Sequence, residues 1–367
     1  MAFLTIEPDI ERASTPPPWL YEDPGVWAHQ CETLWARAWH LFPGGVAPRE
    51  PGKVVPWTLL PGLLDEPLVW TVDRDGGQHC LSNVCTHRSH LVVGAGEATA
   101  NPRRGLRCRY HGRRFELDGT CRSSPGFDER GDFPAACDHL RRLGVWHWGP
   151  LSFVQLPHEG ARALAEPLAP FAERVAYLPW DQATLVDTRT YDIRAHWALY
   201  CDNYLEGLHI PFVHLELARS VELEAYEYEL YDYGALQLAE AKPHEPAFSP
   251  PAGHEDEGRR IAAYYLWIFP GIMLNFYPWG ISVNVLEPKG PRRTEVRYLT
   301  FVWDESARGC GAGGDVARVE REDQEVIVAT ARGLRSRLSR PNRYQPVHEV
   351  ATHHFHRLLA PYSPIPL

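Results

Sequence analysis

The pattern of apolar and polar positions predicts a β-rich first part of the chain. From 52 to about 155, short apolar runs such as PLVWTV, LSNVC and RFELDG alternate with Gly, Asp and Pro, as expected for a small all-β unit. Ahead of this unit, residues 23 to 40 carry apolar side chains close to helical spacing after a turn. We therefore expect a helical N-terminal segment followed by a β domain.

The second part of the chain has longer strand and helix patterns. It follows an acidic connector rich in Ala and Pro, at about 157 to 185. YEYELYDY alternates polar and apolar residues like a strand, and YYLWIFPGIMLNFY and ISVNVLEP predict further strands. The Pro-rich polar residues 242 to 260 predict a mobile surface loop, and a long helix is expected to begin near Val316. Strands flanked by long helices favour an α+β second domain.

Length and charge narrow the class of protein. The chain has 367 residues, of which 44% are hydrophobic, so it can form two domains with sizeable cores. Its formal net charge of -10 argues against a nucleic-acid partner. Without a basic and apolar leader or a long uncharged apolar stretch, we expect a cytoplasmic protein that does not bind membranes. Eight irregularly spaced cysteines favour reduced thiols over a disulfide framework.

Two Cys/His pairs lie within the predicted β unit. NVCTHRSH contributes Cys85 and His87, and LRCRYHGRRF contributes Cys108 and His111 after twenty intervening residues. Four nitrogen and sulfur ligands suit either tetrahedral zinc or an iron–sulfur cluster. Zinc sites usually have paired C-x2-C and H-x3-H spacings, whereas each loop here supplies one Cys and one His. This asymmetry favours a [2Fe–2S] centre with two thiolates on one iron and two imidazoles on the other.

These residues, followed by Gly112, resemble the Rieske ferredoxin motif. The resemblance implies that Cys85 and Cys108 bind the inner iron, and that His87 and His111 bind the outer one. His90 is expected to be a surface or packing histidine. The cysteines without a motif partner are expected to be small buried residues; they are Cys31, Cys80, Cys121, Cys137, Cys201 and Cys310.

A second candidate site lies in DNYLEGLHIPFVH, residues 202 to 214. Glu206 and His209 are three residues apart and share a helix face, whereas His209 and His214 converge only if the backbone bends, which we attribute to Pro211. Two histidines on an apolar segment are more often structural than metal-binding. A third ligand is therefore needed to make a metal site.

The third ligand is sought in VARVEREDQEVIVATARGL, residues 316 to 334. At helical spacing Asp323 lies at the centre of an apolar stripe, and the stripe consists of Val316, Val319, Val326, Ile327, Thr330 and Leu334. A carboxylate on a buried face needs a partner, which is either a metal ion or an arginine in a buried salt bridge. Two histidines and one carboxylate form the facial triad of non-haem Fe(II) oxygenases.

Together, the Rieske motif, DNYLEGLHIPFVH and the later ERED resemble the catalytic α subunit of the Rieske non-haem iron oxygenases, the aromatic ring-hydroxylating family. The resemblance extends from about Trp35 to HEVATHHFHRLL near the end of the chain. It implies an N-terminal helical segment at 1–44 that packs on the catalytic domain, a Rieske [2Fe-2S] all-β domain at 45–156, and a catalytic domain at 157–367. The catalytic domain would be a helix-grip, START-like fold with a central antiparallel sheet, and the fold class is α+β.

The resemblance also implies roles for individual residues. His209, His214 and Asp323 would bind a mononuclear Fe(II), and Glu206 would bridge His209 to the outer Rieske histidine, His111, of a neighbouring subunit in a homotrimer. His353, His354 and His356 match a helical tail, so we expect them to be structural.

The implied activity is that of a terminal oxygenase that uses O2 and electrons from a separate reductase. The sequence has neither a GxGxxG fingerprint nor a plant-type ferredoxin motif, so NAD(P)H and flavin are expected on the partner reductase. Arginines around the second Cys/His pair would dock an acidic donor, unless they are only a solvated face; they are Arg103, Arg104, Arg107, Arg109, Arg113 and Arg114. Arg113 and Arg114 depart from the tryptophan that is common after this His in the family.

Substrate class is indicated by two further stretches. LWIFPGIMLNFYPWGISVN and EREDQEVIVATARGLRSRL are similar to the subgroup that acts on choline, carnitine and betaines. This implies hydroxylation or oxidative N-demethylation of a quaternary ammonium compound. An aromatic cage for the cation is expected among Tyr200, Trp267, Phe276, Tyr277 and Trp279, although aromatic residues on strands are more often core. The alternatives are an aromatic acid or other ring substrate, and a Rieske electron-transfer protein without O2 chemistry.

Overall fold

The computed structural model describes residues 2–96, 98–99, 105–127 and 129–366. The chain forms two compact units, of which one is Arg37–Ala163 and the other is Met1–Ala36 together with Leu164–Leu367. The first unit is thus inserted into the second. It begins before the domain bound expected at 45 and ends after the bound expected at 156.

The inserted unit is built from short antiparallel strands. They form three sheets with the orders β1-β10-β9, β4-β3-β2-β5 and β6-β7-β8. The strands are β1 Trp39–Leu41, β2 Lys53–Leu59, β3 Glu66–Val72, β4 Gln78–Ser82, β5 Ala98–Thr99, β6 Leu106–Arg107, β7 Arg114–Phe115, β8 Cys121–Ser123, β9 Gly144–Trp148 and β10 Leu151–Gln155. The predicted β unit is therefore confirmed, although LSNVC and RFELDG leave their strands after Ser82 and Phe115.

The second unit contains one large antiparallel sheet. Its seven strands have the order β11-β17-β16-β15-β14-β13-β12. They are β11 Thr184–Ile193, β12 Val221–Tyr231, β13 Gly234–Ala241, β14 Ile261–Ile268, β15 Ile272–Tyr277, β16 Gly280–Gly290 and β17 Arg293–Val302. This sheet contains every strand predicted for the second part of the chain, and the α+β class is confirmed.

The α-helices found in the described residues belong to the second unit. They are α1 Trp19–Glu22, α2 Pro24–Thr33, α3 Ala165–Arg174, α4 Trp197–Tyr204, α5 Ile210–Val213, α6 Leu217–Ser220, α7 Val316–Leu334 and α8 Val350–Leu359. Helix α2 starts at Asp23, whose side chain accepts the N–H groups of Gly25 and Val26. The helix expected to reach residue 40 ends at Thr33, because Trp39 to Leu41 pair with strand β10 and are buried there. Sheet pairing overrides the helical spacing at these residues.

Both faces of the large sheet are covered, which explains its long apolar runs. On one face Phe171 of α3 packs on Phe276, with ring centroids 5.5 Å apart. On the other face α4 contacts α7, α8 and β16. Because side chains alternate along a strand, Asn275 and Tyr277 point to the face opposite Phe276. Helix α3 itself lies in the segment 157 to 185, which the sequence had indicated only as a connector.

The loop predicted at 242 to 260 lies between β13 and β14, but a buried ion pair anchors it. The Arg174 guanidinium donates to both carboxylate oxygens of Asp256 at 2.8 and 2.6 Å, and Asp256 is only 1% exposed. Tyr264 also donates to Asp256 at 2.9 Å. The expectation of a mobile surface loop is therefore wrong for the part around Asp256.

The N-terminal segment packs against α4 and α8. Tyr21 donates to Asp202 at 2.8 Å and lies 3.2 Å from Nε2 of His356. His353 Nε2 lies 2.7 Å from the carbonyl oxygen of Glu7, and His354 Nε2 lies 2.8 Å from that of Tyr231. The three histidines of α8 thus make the structural contacts that were expected of them.

Two further expectations concern thiols and membranes. All eight cysteines are free, but Cys137 and Cys310 are exposed, so the expectation that all unpaired cysteines are buried is wrong for these two. Cys137 lies in a short 3-10 helix, Ala136–Asp138, of which no residue is buried, and Cys310 lies just before another, Gly311–Gly313. Among the residues that the structure describes, no helix combines the length and apolar character needed to cross a membrane.

Candidate metal centres and substrate pocket

Two loops of the inserted unit bring the Cys/His pairs together. In the first loop the Cys85 N–H donates to the His90 carbonyl at 2.9 Å. In the second, between β6 and β7, the Cys108 N–H donates to the Arg113 carbonyl at 2.9 Å, and Gly112 donates back to Cys108 at 3.0 Å. Gly112 has φ 78°, a left-handed conformation that a side chain would strain. Each loop therefore folds tightly around its cysteine.

The four side chains fit a [2Fe–2S] centre of the Rieske type. Cys85 and Cys108 are 3% and 1% exposed, whereas His87 is half-buried and His111 is exposed. The two imidazole centroids lie 4.6 Å apart. Nδ1 of His87 is buried and has no hydrogen-bond partner among the described residues, as expected of a nitrogen that binds a metal. Thiolates on the inside and imidazoles on the outside match the expected inner and outer irons.

Arg113 holds the cluster loops from within and is not a surface residue. It is 1% exposed, and its guanidinium donates to the Thr86 hydroxyl at 3.0 Å, to Asp138 at 3.0 Å and to Ser124 at 3.3 Å. The same guanidinium lies 4.9 Å from the ring centroid of Phe127. Because Thr86 stands between the two ligands of the first loop, Arg113 joins that loop to the second.

The predicted basic docking surface is therefore smaller than expected. Arg113 is wrongly included, because its charge is compensated inside the unit by Asp138. Arg107, Arg109 and Arg114 are exposed near the second loop. Arg103 and Arg104 lie outside the described residues.

A second centre is formed by His209, His214 and Asp323. Their potential ligand atoms all lie within 4.8 Å of one another. Asp323 Oδ1 is 2.9 Å from His214 Nε2 and 3.6 Å from His209 Nε2. Asn203 also donates to Asp323, at 3.0 Å. The structure thus brings together all three residues that the sequence indicated for the mononuclear iron.

Carboxylates on their far sides orient both imidazoles of this centre. His209 Nδ1 lies 2.5 Å from Glu206 Oε1, and His214 Nδ1 lies 2.8 Å from Glu322 Oε2. An ionised carboxylate only accepts hydrogen bonds, so each Nδ1 donates to its glutamate and each Nε2 is the nitrogen turned toward Asp323, where a metal would bind. Partial burial by itself would raise the pKa of Glu322. Hydrogen bonds from His214 and Arg318 outweigh this effect and lower the pKa, so Glu322 stays ionised. Two Nε2 atoms and one carboxylate fit a divalent iron.

The bend that lets the histidines converge comes before Pro211, and not from it. Helix α4 ends at Tyr204, and His209 is the N-cap of the next short helix, α5. Pro211 lies in the first turn of α5, where its missing N–H leaves no helical bond unmade. The turn between the helices is held by Glu206, which accepts the N–H of His209 at 3.1 Å and that of Leu208. The interpretation of Pro211 as the cause of the bend is wrong.

Asp323 projects from α7 as predicted, but the buried stripe of this helix is rotated. Ile327 is buried as expected, whereas Thr330 is exposed. Glu320 and Ala331 are buried instead. The shift places the acidic Glu320 inside the unit, one turn ahead of Asp323.

A pocket opens beside this second centre. Its empty space, including the open mouth, is about 730 Å³. Besides His209, His214, Asp323 and Glu206, its walls include six tyrosines and four amides; these are Tyr200, Tyr204, Tyr226, Tyr265, Tyr277, Tyr298, Asn203, Gln237, Asn275 and Asn284. Among the described residues that line it there is no lysine or arginine.

Comparisons with known proteins match both units. Residues 60–140 match the Rieske [2Fe-2S] domain, and residues 180–363 match the ring hydroxylating alpha subunit (catalytic domain). This chain belongs to the ring-hydroxylating alpha subunit family. It is therefore a Rieske-type non-haem iron oxygenase, with a [2Fe–2S] cluster and a mononuclear iron as cofactors and O2 as co-substrate.

Relatives of this alpha subunit are similar over nearly its whole length. The chloroplastic choline monooxygenase of Arabidopsis thaliana is 28% identical over 95% of this chain and 83% of its own. The carnitine monooxygenase oxygenase subunit of Escherichia coli (strain K12) is 26% identical over 95% of this chain and 94% of its own. The fold also matches the solved quaternary ammonium Rieske monooxygenase CntA, with TM-score 0.76, 22% identity and coverage of 98% and 99% of the two chains.

Only some of the aromatic residues expected around the substrate line the pocket of this oxygenase. Tyr200 and Tyr277 do, whereas Trp279 stacks behind Tyr277 with ring centroids 5.2 Å apart. The expectation is wrong for Phe276, which faces α3, and for Trp267, which packs against Phe355 at 5.4 Å. Trp267 lies on the same face of the sheet as Tyr265, but it is two residues further along β14 and packs under α8.

Several residues of the alpha subunit's pocket were not found from the sequence. Asn275 and Asn284 are 4% exposed in otherwise apolar strands, and they hydrogen-bond to each other at 3.2 Å. Polar residues within the apolar runs LNFY and ISVNV were a usable signal, because a buried strand rarely carries an amide without a partner. Glu322 had no such signal, since its partner His214 is 108 positions away in the sequence.

Proposed function

We propose that this oxygenase hydroxylates or oxidatively N-demethylates a quaternary ammonium compound. The observation that carries the proposal is the pocket itself, in which six tyrosine rings stand beside the His209, His214 and Asp323 centre without a lysine or arginine among the described lining residues. Tyrosine faces attract organic cations, and the lack of a competing basic side chain favours positive charge in the ligand. The names of the choline and carnitine monooxygenase relatives support the same substrate class.

The metal ligands are the residues that the two loops and the helices present. Cys85, His87, Cys108 and His111 would hold the [2Fe–2S] cluster; His209, His214 and Asp323 would hold the mononuclear iron. When bound, the cluster supplies one-electron transfer and the mononuclear iron supplies O2 activation. Glu206 and Glu322 keep the two imidazoles in the tautomer that leaves Nε2 free.

Glu206 is also suited to a role between subunits. It accepts a hydrogen bond from His209 and lies next to exposed apolar side chains, of which Leu208, Phe212 and Leu215 are 40%, 79% and 55% exposed. Exposed apolar residues around a functional site are typical of a protein interface. We propose a homotrimer in which Glu206 meets His111 of a neighbouring copy and passes electrons to its own His209.

A separate reductase would supply the electrons from NAD(P)H. The sequence carries no nucleotide fingerprint, and the exposed Arg107, Arg109 and Arg114 are positioned near the second cluster loop for an acidic donor. The eight free thiols fit a reducing compartment, so we infer a cytoplasmic location.

Metal analysis and substrate-dependent O2 uptake test this function. We expect about three iron to two acid-labile sulfide per chain, and about two iron to two sulfide in Asp323→Ala. Glu325→Ala, an exposed residue on the same helix, should keep the third iron. With a surrogate reductase, choline-type compounds should stimulate O2 uptake and an aromatic panel should not. Stimulation by the aromatic acids alone would instead support the ring-dioxygenase alternative.

The alternative of an electron-transfer protein without O2 chemistry has less support. Residues 180–363 match a catalytic domain, and such a protein would need neither the pocket nor the second centre. Zinc in place of iron, without sulfide, would contradict both the Rieske and the oxygenase assignments.

A further inference from the structure

Glu320 is a buried acid that is neither a proposed metal ligand nor a partner of one. It is 1% exposed and lies in α7, three residues before Asp323. Its Oε1 accepts a hydrogen bond from Gln324 at 2.8 Å, and its Oε2 accepts one from Tyr200 at 2.8 Å and another from Tyr298. Across the described part of the chain, Glu320 forms no ion pair with a lysine, arginine or histidine.

The hydroxyls that hold Glu320 belong to the wall of the pocket. Tyr200 and Tyr298 both line it, and their oxygens lie 2.6 Å apart. Asn284 donates to the Tyr298 hydroxyl at 2.9 Å and lies 3.2 Å from that of Tyr200. The two tyrosines that donate to the carboxylate are thus also side chains that a ligand in the pocket would meet.

A buried carboxylate without a cation is unfavourable unless hydrogen bonds or a charged ligand compensate it. The three donors around Glu320 are all neutral, so they stabilise the ionised form but leave its net charge unbalanced. Burial raises the pKa of Glu320 to about 7, which leaves most of it ionised at pH 8. A cation in the pocket would favour the ionised form further.

The charges that line the pocket also bear on whether the substrate can carry an anionic group. Glu206 contributes further negative charge, whereas the charge of Asp323 is offset by the divalent iron that it would bind. Among the described lining residues there is no lysine or arginine, so a carboxylate on the substrate would find no basic side chain to bind it.

We propose that Glu320 is the fixed counter-charge that selects a cationic substrate through Tyr200 and Tyr298, and that the preferred substrate is a quaternary ammonium compound without an anionic group. The inference rests on the proposed function and names its substrate more narrowly. Glu320 is a specificity-determining residue, since it acts on the ligand through the two tyrosines.

The test is equilibrium binding to the iron-loaded oxygenase at pH 8. The ligands are choline and 3,3-dimethylbutan-1-ol, which is the neutral isostere of choline because a carbon atom replaces the nitrogen. Wild type should bind choline at least tenfold more tightly, and Glu320→Gln should reduce this preference to about twofold or less. Glu320→Asp keeps the charge and should retain most of the preference. A loss of general pocket structure would weaken both ligands alike, so the ratio separates charge selection from folding.

Three outcomes would overturn the inference. Equal binding of choline and its neutral isostere by the wild-type protein would contradict the inference. This outcome needs no variant, so it can be measured even if Glu320→Gln does not fold. An unchanged preference in a folded Glu320→Gln would also contradict the inference, and so would tighter binding of carnitine than of choline to wild type. If O2 uptake shows an ammonium substrate while Glu320→Gln keeps the preference, the inference fails and the proposed function stands. If no ammonium compound stimulates O2 uptake, the proposed function itself fails.

Discussion

His214 Nδ1 lies 2.8 Å from Glu322 Oε2, on the side of the imidazole that faces away from Asp323. This contact fixes the ring's tautomer and its rotation together. Glu322 is in turn held by Arg318, whose Nε lies 2.9 Å from the second carboxylate oxygen. The orientation of His214, a proposed iron ligand, thus depends on two charged residues of α7, Glu322 and Arg318.

The contact predicts the effect of Glu322→Ala. Without the carboxylate the His214 ring loses its partner, and we expect iron affinity to fall about 10-fold to 100-fold, as for other outer partners of metal-bound histidines. Iron titration of the depleted protein measures this affinity. Glu325→Ala is the matched control, because Glu325 is exposed on the same helix. Equal iron affinity in the two variants would show that Glu322 does not orient the ligand.

Glu206→Gln separates metal binding from electron delivery. The amide oxygen of Gln can still accept the hydrogen bond from His209 Nδ1, so we expect both the cluster and the mononuclear iron to be retained. The charge of the proposed bridge is lost, and coupled turnover should fall at least tenfold. Single-turnover reoxidation of the reduced cluster, with substrate and O2 present, reports the step directly.

The exposed Glu216→Gln should behave like wild type in the same experiment. Normal cluster reoxidation in Glu206→Gln would remove the residue from the electron path. Loss of the third iron in that variant would instead make it mainly a support of His209.

Arg113 should be essential to the stability of the cluster loops. Arg113→Gln leaves the half-buried Asp138 without its cation and Thr86 without its donor, and losing a hydrogen bond to a charged group costs about 1.5 to 3 kcal/mol. We expect faster bleaching of the visible cluster absorption on heating, with the second unit less affected. Arg114→Gln, at the exposed neighbour, should leave the bleaching temperature unchanged. Similar bleaching in both variants would contradict the inference that Arg113 joins the loops.

His196 predicts a specific dependence of stability on pH. It caps α4 by accepting the Ala198 N–H at 3.2 Å, and burial lowers the pKa of His196 to about 3. Between that value and the usual pKa of about 6.5, the unfolded chain binds a proton that the folded protein does not. The contribution of His196 is thus complete above the unfolded pKa and is lost as the pH falls below it.

The expected loss is about 1 kcal/mol between pH 7.5 and 5.5. His196→Asn keeps a capping oxygen but does not titrate, so the variant should lose less stability over this range than wild type. Urea unfolding followed by far-UV circular dichroism at the two pH values gives the difference. Equal pH slopes for the two proteins would mean that His196 is not the buried neutral base that the structure indicates.

The sequence pattern predicted the strands and helices of this fold better than it predicted which side chains pack against each other. Helical spacing placed Asp323 among the inward positions of α7 but left open whether its partner is a metal or an arginine, and the resemblance to the oxygenase family supplied the iron. Phe276 and Trp267 could not be separated from Tyr277, since all three lie in strands that are apolar on both faces and only packing against α3 and α8 distinguishes them. Where a sheet is covered on both sides, alternation no longer indicates which side carries the pocket.

The supporting residues of the two centres were missed for a related reason. Arg113 follows a ligand in the sequence and was interpreted as a surface charge, but its partner Asp138 is 25 positions further on. Pro211 was given the bend between the histidines, because the end of α4 at Tyr204 carries neither a proline nor a glycine. A long-range hydrogen bond decides the first case, and side-chain hydrogen bonds within the turn, from Leu208 and His209 to Glu206, decide the second.

The interrupted second unit has a consequence for synthesis on the ribosome. Tyr21 finds one of its hydrogen-bond partners, His356, 335 positions later, and Phe3 pairs with Pro364. The inserted unit, by contrast, is one continuous segment, Arg37–Ala163, and is complete once residue 163 has emerged. The loops that receive the iron–sulfur cluster can therefore mature on the nascent chain, whereas the first segment to be made must wait for the last before it can dock.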